Sequence, residues 1–571
     1  MCTAWLVLTG TQVITNVSDM ARFGATIFNI IAPLQLAMVL FLSAITAASA
    51  VALEKDKKTL ILLLLTRLNN SELVLGRLLS SMLQIFVMLL AGLPIFAWIS
   101  LFGGISFAQI GNVFVTTAVS ALAAGSLGST IALWREKTFQ TLALTAMAVL
   151  FWLLIGEVVA ANLFGESIAG VPSKELAIWV SPLRAVLNAA EPFRVSTTFA
   201  SGFWVFLGVA TGLAFLLNAI AIWMCRIWNP SREIRRKASP AEEKSIWEET
   251  GESESVAEKA RTQHVDAKLR KQKAARYRKV WENPILWREI CTWAYGKKIV
   301  AIRLVYLLFA IATGVGIYLT VGQDGPLAAQ GAVLPSFAKP ILPLCVLSLV
   351  MINALSVTTI TTERDGRSLD LLLVTDLSPA EFLFGKLGGV FWIAKEMILF
   401  PLAICVALYW RGILDFEAFL FTFLGLSVLN VFVAVLGIHC GMNYSNSRSA
   451  VSVSLGTVFF LFLGIATCII MMISFSGSFN LQLYPFLAFI LGGGVGLYVS
   501  LGARNPSPAI LLASISLPFA TFYAIVSYFM GLPLAVFLVT TISYGFTATA
   551  MMIPALTEFD FAMGKNMSTD E

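Results

Sequence analysis

Apolar residues run along this chain in blocks of about 20, enough for a helix to cross the hydrocarbon of a bilayer, and polar residues gather in the gaps between them. Such blocks lie near 1–16, 25–52, 78–100, 110–133, 138–161 and 200–225. After a polar gap they resume near 299–320, 338–360, 387–410, 416–440, 450–474, 482–502, 509–530 and 533–556. The pattern predicts an all-α polytopic transmembrane fold of about 14 spans. The first block is short and has no basic flank ahead of it, so the start of the chain, or of its ancestor, is expected further upstream.

Composition sharpens the picture. Of 571 residues, 58% are hydrophobic and 13% are charged, against about 25% charged in an ordinary soluble domain. A soluble enzyme, a disulfide scaffold and a disordered chain are excluded. The charge is also concentrated: Arg226 to Arg303 holds 19 of the 39 basic and 11 of the 33 acidic residues. Within it, 229–280 is expected to be a solvated linker, acidic around Glu242–Glu254 and basic around Lys268–Lys279. The basic part could rest on anionic membrane lipid, and no nucleic-acid-binding module accompanies it. The seven scattered cysteines read as apolar filler, and two histidines cannot build a metal site.

Short-loop Lys and Arg set the orientation. Lys55, Lys57, Lys58, Arg67 and Arg77 share a side with Arg135, Lys137, the linker, Arg364, Arg367, Lys386, Arg448 and Arg504. The gaps 321–337, 475–481 and 531–532 carry no basic residue. The first set is expected to be cytoplasmic, which places the linker and the C-terminus inside the cell.

The strongest signal is an internal repeat. Residues 54–78, EKDKKTLILLLLTRLNNSELVLGRL, align without gaps on 363–387, ERDGRSLDLLLVTDLSPAEFLFGKL, at an offset of 309, and 11 of 25 positions are identical. The identities include Glu54/Glu363, Asp56/Asp365, Thr66/Thr375 and Gly76/Gly385, which shared lipid-compatible composition does not explain. Asn69 and Ser378 stand three residues before Glu72 and Glu381, a capping-box spacing, with Pro379 at the first helical position. Helices are thus predicted to start at 70 and 379. The leucine-rich run ahead of each is too short to cross a bilayer, so it must lie in the headgroup region or dock into another protein. Two matched copies favour docking. The chain is expected to be two six-span units in parallel orientation.

The acid and basic run, then Leu-x-Leu-Leu-Leu-x-Thr-x-Leu and Glu-x-x-x-Gly-Lys/Arg-Leu, resembles the cytoplasmic segment between spans 2 and 3 of type-2 ABC transporter permeases. Residues 281–300, WENPILWREICTWAYGKKIV, resemble that family's amphipathic elbow helix, and 181–187, SPLRAVL, its external stretch between spans 5 and 6. The first half lacks the elbow, and the spans at 509–556 exceed the family's six.

The resemblance implies a first permease half at 1–228, the linker at 229–280 and a second half at 281–571 with its elbow at 281–298. It implies an exporter in the plasma (inner) membrane of a bacterium. Its partner would be a separate cytoplasmic ABC ATPase subunit in two copies. The coupling residues it implies are Glu54, Asp56, Leu60, Leu63, Thr66 and Gly76 in one copy. In the other they are Glu363, Asp365, Gly366, Leu369, Leu372, Thr375 and Gly385. The chain has no GxxxxGK[ST] phosphate loop, so no enzyme activity and no bound cofactor are expected of it, ATP and Mg being used by the partner.

Few ionisable residues interrupt the spans. Glu157, near an outer end, and Lys395 with Glu396, deeper in, are candidates to line a pathway. Lys395 and Glu396 point to different sides of a helix and are not natural partners. His439 is expected at a structural interface. A secondary transporter or channel would lean on these few charges alone, and an intramembrane enzyme finds no Asp in any span and no HExxH motif.

Overall fold

The computed structural model describes residues 17–160, 167–168, 171–190, 202–229, 281–291, 299–321, 335, 338–373, 377–474, 479–502, 506–557 and 559. The first half contributes α1 (Val17–Asp56), α2 (Thr59–Leu65), α3 (Asn70–Ser100), α4 (Phe107–Trp134) and α5 (Thr138–Ala160). A two-residue hairpin follows (β1, Ser167–Ile168; β2, Val171–Pro172), then α6 (Ser173–Val180), α7 (Pro182–Ala190) and α8 (Gly202–Trp228). The second half begins with α9 (Pro284–Cys291), α10 (Ile299–Val321), α11 (Ala338–Asp365), α12 (Ser368–Leu373), α13 (Pro379–Ile393) and α14 (Lys395–Trp410). It ends with α15 (Phe416–Asn443), α16 (Ser447–Ser474), α17 (Phe479–Gly502), α18 (Pro508–Phe529) and α19 (Pro533–Thr557).

Among the described residues, α1, α3, α4, α5, α8, α10, α11, α15, α16, α18 and α19 are each long and apolar enough to cross a membrane. The pair α13–α14, bent by 59°, makes up to twelve spans. Leu79, Leu83, Phe215, Trp223 and Leu304 stand exposed along these helices, as lipid contact requires. Apart from the short hairpin, the described residues are almost wholly helical, and the chain is a polytopic membrane protein of the all-α class. The block expected at 1–16 lies outside the described residues, and in the block at 482–502 the described apolar helix is Ile490–Gly502. The block 387–410 reads in the sequence as one span, and the structure breaks it at Ala394.

Small residues bring the inner helices together. A Cβ on Gly128 would lie 2.3 Å from Ala44 O, and one on Gly437 would lie 2.8 Å from Asn353 O. These are the same contact at an offset of 309, between α1 and α4 in one half and α11 and α15 in the other. Only glycine permits so close an approach of two backbones. Hydroxyls buried further along α4, such as Thr117 and Ser120, donate to carbonyls one turn back (2.8 and 2.7 Å), so neither is left bare in hydrocarbon. Between the halves, α1 packs on α16 and α11 packs on α5, a reciprocal pairing because α16 and α11 occupy the places of α5 and α1.

Candidate functional site

At one end of the bundle the chain turns twice in the same way. α1 stops at Asp56 and α11 at Asp365, and the next turn closes through Lys58 (φ 59°) and Arg367 (φ 53°), both left-handed. The same backbone bonds recur: Lys57 N to Leu53 O and Gly366 N to Thr362 O, each 3.0 Å. Thr59 Oγ1 donates to Glu54 O and Ser368 Oγ to Glu363 O, each 3.2 Å. Capping boxes at Asn69/Glu72 and Ser378/Glu381 start α3 and α13, as their spacing predicts.

Charged side chains then lock each turn to its neighbours. Lys55 Nζ donates to Leu133 O (2.5 Å) and Arg135 O (2.8 Å) at the end of α4. Arg364 donates to Met442 O (3.1 Å) and Tyr444 O, the same carbonyls of the second half. A cation there satisfies the carbonyls that a helix end leaves open. Glu54 pairs with Arg77 of α3, and Glu363 pairs with Lys386 of α13 (2.6 Å), again at matching positions. Asp56 accepts from Thr138 Oγ1 at the start of α5, whereas Asp365 reaches across to Lys57 of the first half (3.6 Å). The two turns therefore touch.

The leucine-rich helix α2 is amphipathic. Leu60 and Leu64 are buried against Leu73, Val74, Leu133 and Cys225, while Leu63 is partly buried. Leu62 and Leu65 are 65% and 66% exposed, and Ile61 is also exposed. Arg226 from α8 pins the segment, donating to Leu64 O and Leu68 O (both 3.2 Å) and to Asn70 Oδ1 (2.8 Å). Of the leucines expected to meet a partner, Leu60 and its counterpart Leu369 face the core, so the outward face of α2 is Ile61, Leu62 and Leu65. Thr66 Oγ1 donates to Leu63 O (2.6 Å) and closes α2, while Leu372 of α12 packs partly buried against the core. Thr375 lies outside the described residues.

The second turn carries a feature that, among the described residues, the first does not share. α9, the described part of the expected elbow, lies across α13, and 292–298 fall outside the described residues. Asn283 caps it, accepting from Leu286 N (2.9 Å) and donating to Glu381 O (2.9 Å). A Cβ on Gly385, Gly388 or Gly389 would meet Asn283, Leu286 or Glu289 within 2.8 Å. Lys386, fully buried, donates to Glu289 Oε1 (2.7 Å) and Glu363 Oε1 (2.6 Å), and Arg288 also binds Glu363. Burial alone would raise the Glu289 carboxyl, but Lys386 and then Arg288 outweigh it and hold it below the ordinary value. Gly76, by contrast, has open space where Gly385 has α9.

The candidates for a pathway are all paired. Glu157 forms a two-point ion pair with Arg184 of α7 (2.9 and 2.5 Å), which fastens α7 to α5. Glu396 meets Arg303 of α10 (3.3 Å), and Lys395 sits over the Trp392 ring (4.4 Å). Arg303 also donates to Ile393 O (3.1 Å), satisfying a carbonyl freed by the break at Ala394. His439 Nε2 lies 2.9 Å from Leu501 O and joins α15 to α17. Sequence reasoning missed Arg226, Arg303 and the break; Arg303 alone left a trace, as a charge four residues into an apolar block.

Among the described residues no group of three or more His, Cys, Asp or Glu could hold a metal ion. No family model, curated protein or solved structure matches the chain.

Proposed function

We infer that this chain is the membrane subunit of an ATP-driven ABC exporter of a bacterial inner membrane. It would combine two type-2 permease halves, 1–228 and 281–571, joined by a cytoplasmic linker at 229–280, with α18 and α19 added. A separate ATPase subunit in two copies would grip 54–78 and 363–387 and hydrolyse ATP with Mg; this chain would bind neither. The observation that carries the reading is the doubled turn. Two copies of one charge-locked, leucine-bearing segment lie at one end of the bundle, and α2 offers Ile61, Leu62 and Leu65 to a partner. An exposed aliphatic face backed by a rigid turn suits a groove on another protein. Glu54 and Glu363 serve the turns themselves, through Arg77 and Lys386, rather than reaching outward. Nucleotide-driven closure of the partner would move both turns together, and a full shift between two membrane states takes about 5.5 kcal/mol.

Purification of the full chain from its native host tests this directly. An ATPase should copurify, and its hydrolysis should respond to the membrane subunit. Replacing Ile61, Leu62 and Leu65 together with Ser should abolish association while the membrane chain still folds. Full transport with no ATPase bound would overturn the inference. One observation favours a secondary transporter instead, the broken pair α13–α14 with an ion pair at the break. That reading predicts ion-driven transport by the isolated chain.

A further inference from the structure

The two turns are alike in backbone but not in what surrounds their basic residue. In the second half Lys386 has no exposed surface, two carboxylates bind it, and α9 covers the face of α13 through Gly385, Gly388 and Gly389. In the first half Arg77 is 39% exposed and pairs with one carboxylate, Glu54. The positions matching those glycines are Gly76, with nothing within 4 Å of its Cβ direction, Leu79 and Ser80, both exposed. Beside them a cleft of about 280 Å³ opens between the halves, lined by Glu54, Lys57, Arg77 and Ser80 of one and Asn446 and Arg448 of the other.

The charge of this cleft is unbalanced. Three cations face one carboxylate. Asp365, from outside the lining, answers Lys57, and Arg77 answers Glu54. Arg448 has no ion-pair partner among the described residues. At the position of the first half that matches Arg448 stands Phe139, buried in the core. The same place is thus apolar and closed in one half, cationic and open in the other. An apolar face adjoins it: Leu79 and Leu83 lie exposed on α3, both to one side of the lining residue Ser80. A free anion has no use for that face, whereas the acyl chain of a lipid does.

We propose that this cleft binds the phosphate of an anionic phospholipid. Arg77 and Arg448 donate to the phosphate oxygens, Ser80 and Asn446 hydrogen-bond to the headgroup, and the acyl chains run along Leu79 and Leu83. The site bridges the two halves, so a bound lipid ties them together at the end where the turns meet.

Native mass spectrometry of the full chain in detergent, titrated with phosphatidylglycerol or phosphatidylcholine, tests it. Phosphatidylglycerol should be retained preferentially, and Arg448→Gln should weaken its binding about fivefold while leaving phosphatidylcholine unaffected. Ser80→Phe, which fills the cleft from an exposed position, should do the same, and Arg411→Gln, in the turn after α14, should not. Unchanged thermal unfolding of each variant separates loss of binding from loss of fold. Equal retention of the two lipids, or equal weakening by Arg448→Gln and Arg411→Gln, would overturn the proposal. So would complete displacement of lipid by millimolar inorganic phosphate, which would assign the cleft to a free anion.

Discussion

Lys386 shows what a single residue costs and returns in this protein. Desolvating an ammonium costs several kcal/mol, and here Glu289, Glu363 and Thr359 surround it. Lys386→Met would leave Glu289 and Glu363 sharing the single cation of the partly exposed Arg288 and should destabilise the chain by about 3–5 kcal/mol. The double variant with Glu289→Gln should recover part of that loss in thermal unfolding. The depressed Glu289 carboxyl adds a pH dependence. Its contribution is complete above the ordinary value of 4.5 and is lost as pH falls through the lower folded value. Unfolding followed from about pH 6 to about pH 3 should therefore show a smaller acid loss in Glu289→Gln than in the parent. Glycine makes the second contrast. Gly76→Ala meets open space and should be neutral or stabilising by up to about 1 kcal/mol. Gly385→Ala, at the matching position, drives a methyl to 2.8 Å from Asn283 Oδ1 and 2.9 Å from Ile285 Cβ, and should lift α9 at a cost of about 1–3 kcal/mol.

Among the elements, α2 divides its seven residues between two tasks. Leu60 and Leu64 anchor it, and Ile61, Leu62 and Leu65 stand exposed. Leu64→Ala should cost about 2–5 kcal/mol of stability and Leu62→Ala close to none, a difference that unfolding in detergent can measure. The heptapeptide is too short to be stable as a helix alone. Its geometry comes from the left-handed Lys58 before it, the capping box after it and Arg226 above it. The pair α13–α14 follows the same logic. Its break survives in an apolar setting because Arg303 takes up Ile393 O, and both Tyr306 (3.2 Å) and Ser348 (2.5 Å) donate to Met397 O.

The whole molecule is organised by its reciprocal interface. α1 meets α16 and α11 meets α5, and Lys57 touches Asp365 where the turns approach. Both turns must then lie on one side of the membrane. Cysteines introduced at the exposed positions Leu62 and Gly366 in a background without reactive thiols should label from the same side of sealed vesicles. Opposite labelling would contradict the fold itself. Helices α18 and α19 do not disturb this arrangement, since they pack chiefly on α17 and α15.

Much of this was legible in the residues. Twenty-residue apolar blocks must be helices once water is absent, because no other open structure satisfies the backbone in hydrocarbon. The capping boxes at Asn69 and Ser378 and the match between 54–78 and 363–387 depend on local chemistry, so they could be read without a fold. Tertiary structure alone decided which residues of α2 face outward, that Glu157 and Glu396 have partners in Arg184 and Arg303, and that Gly385 is covered while Gly76 is bare. Each of those outcomes depends on residues far apart in the chain arriving at one place, and no local pattern records where a distant side chain will come to rest.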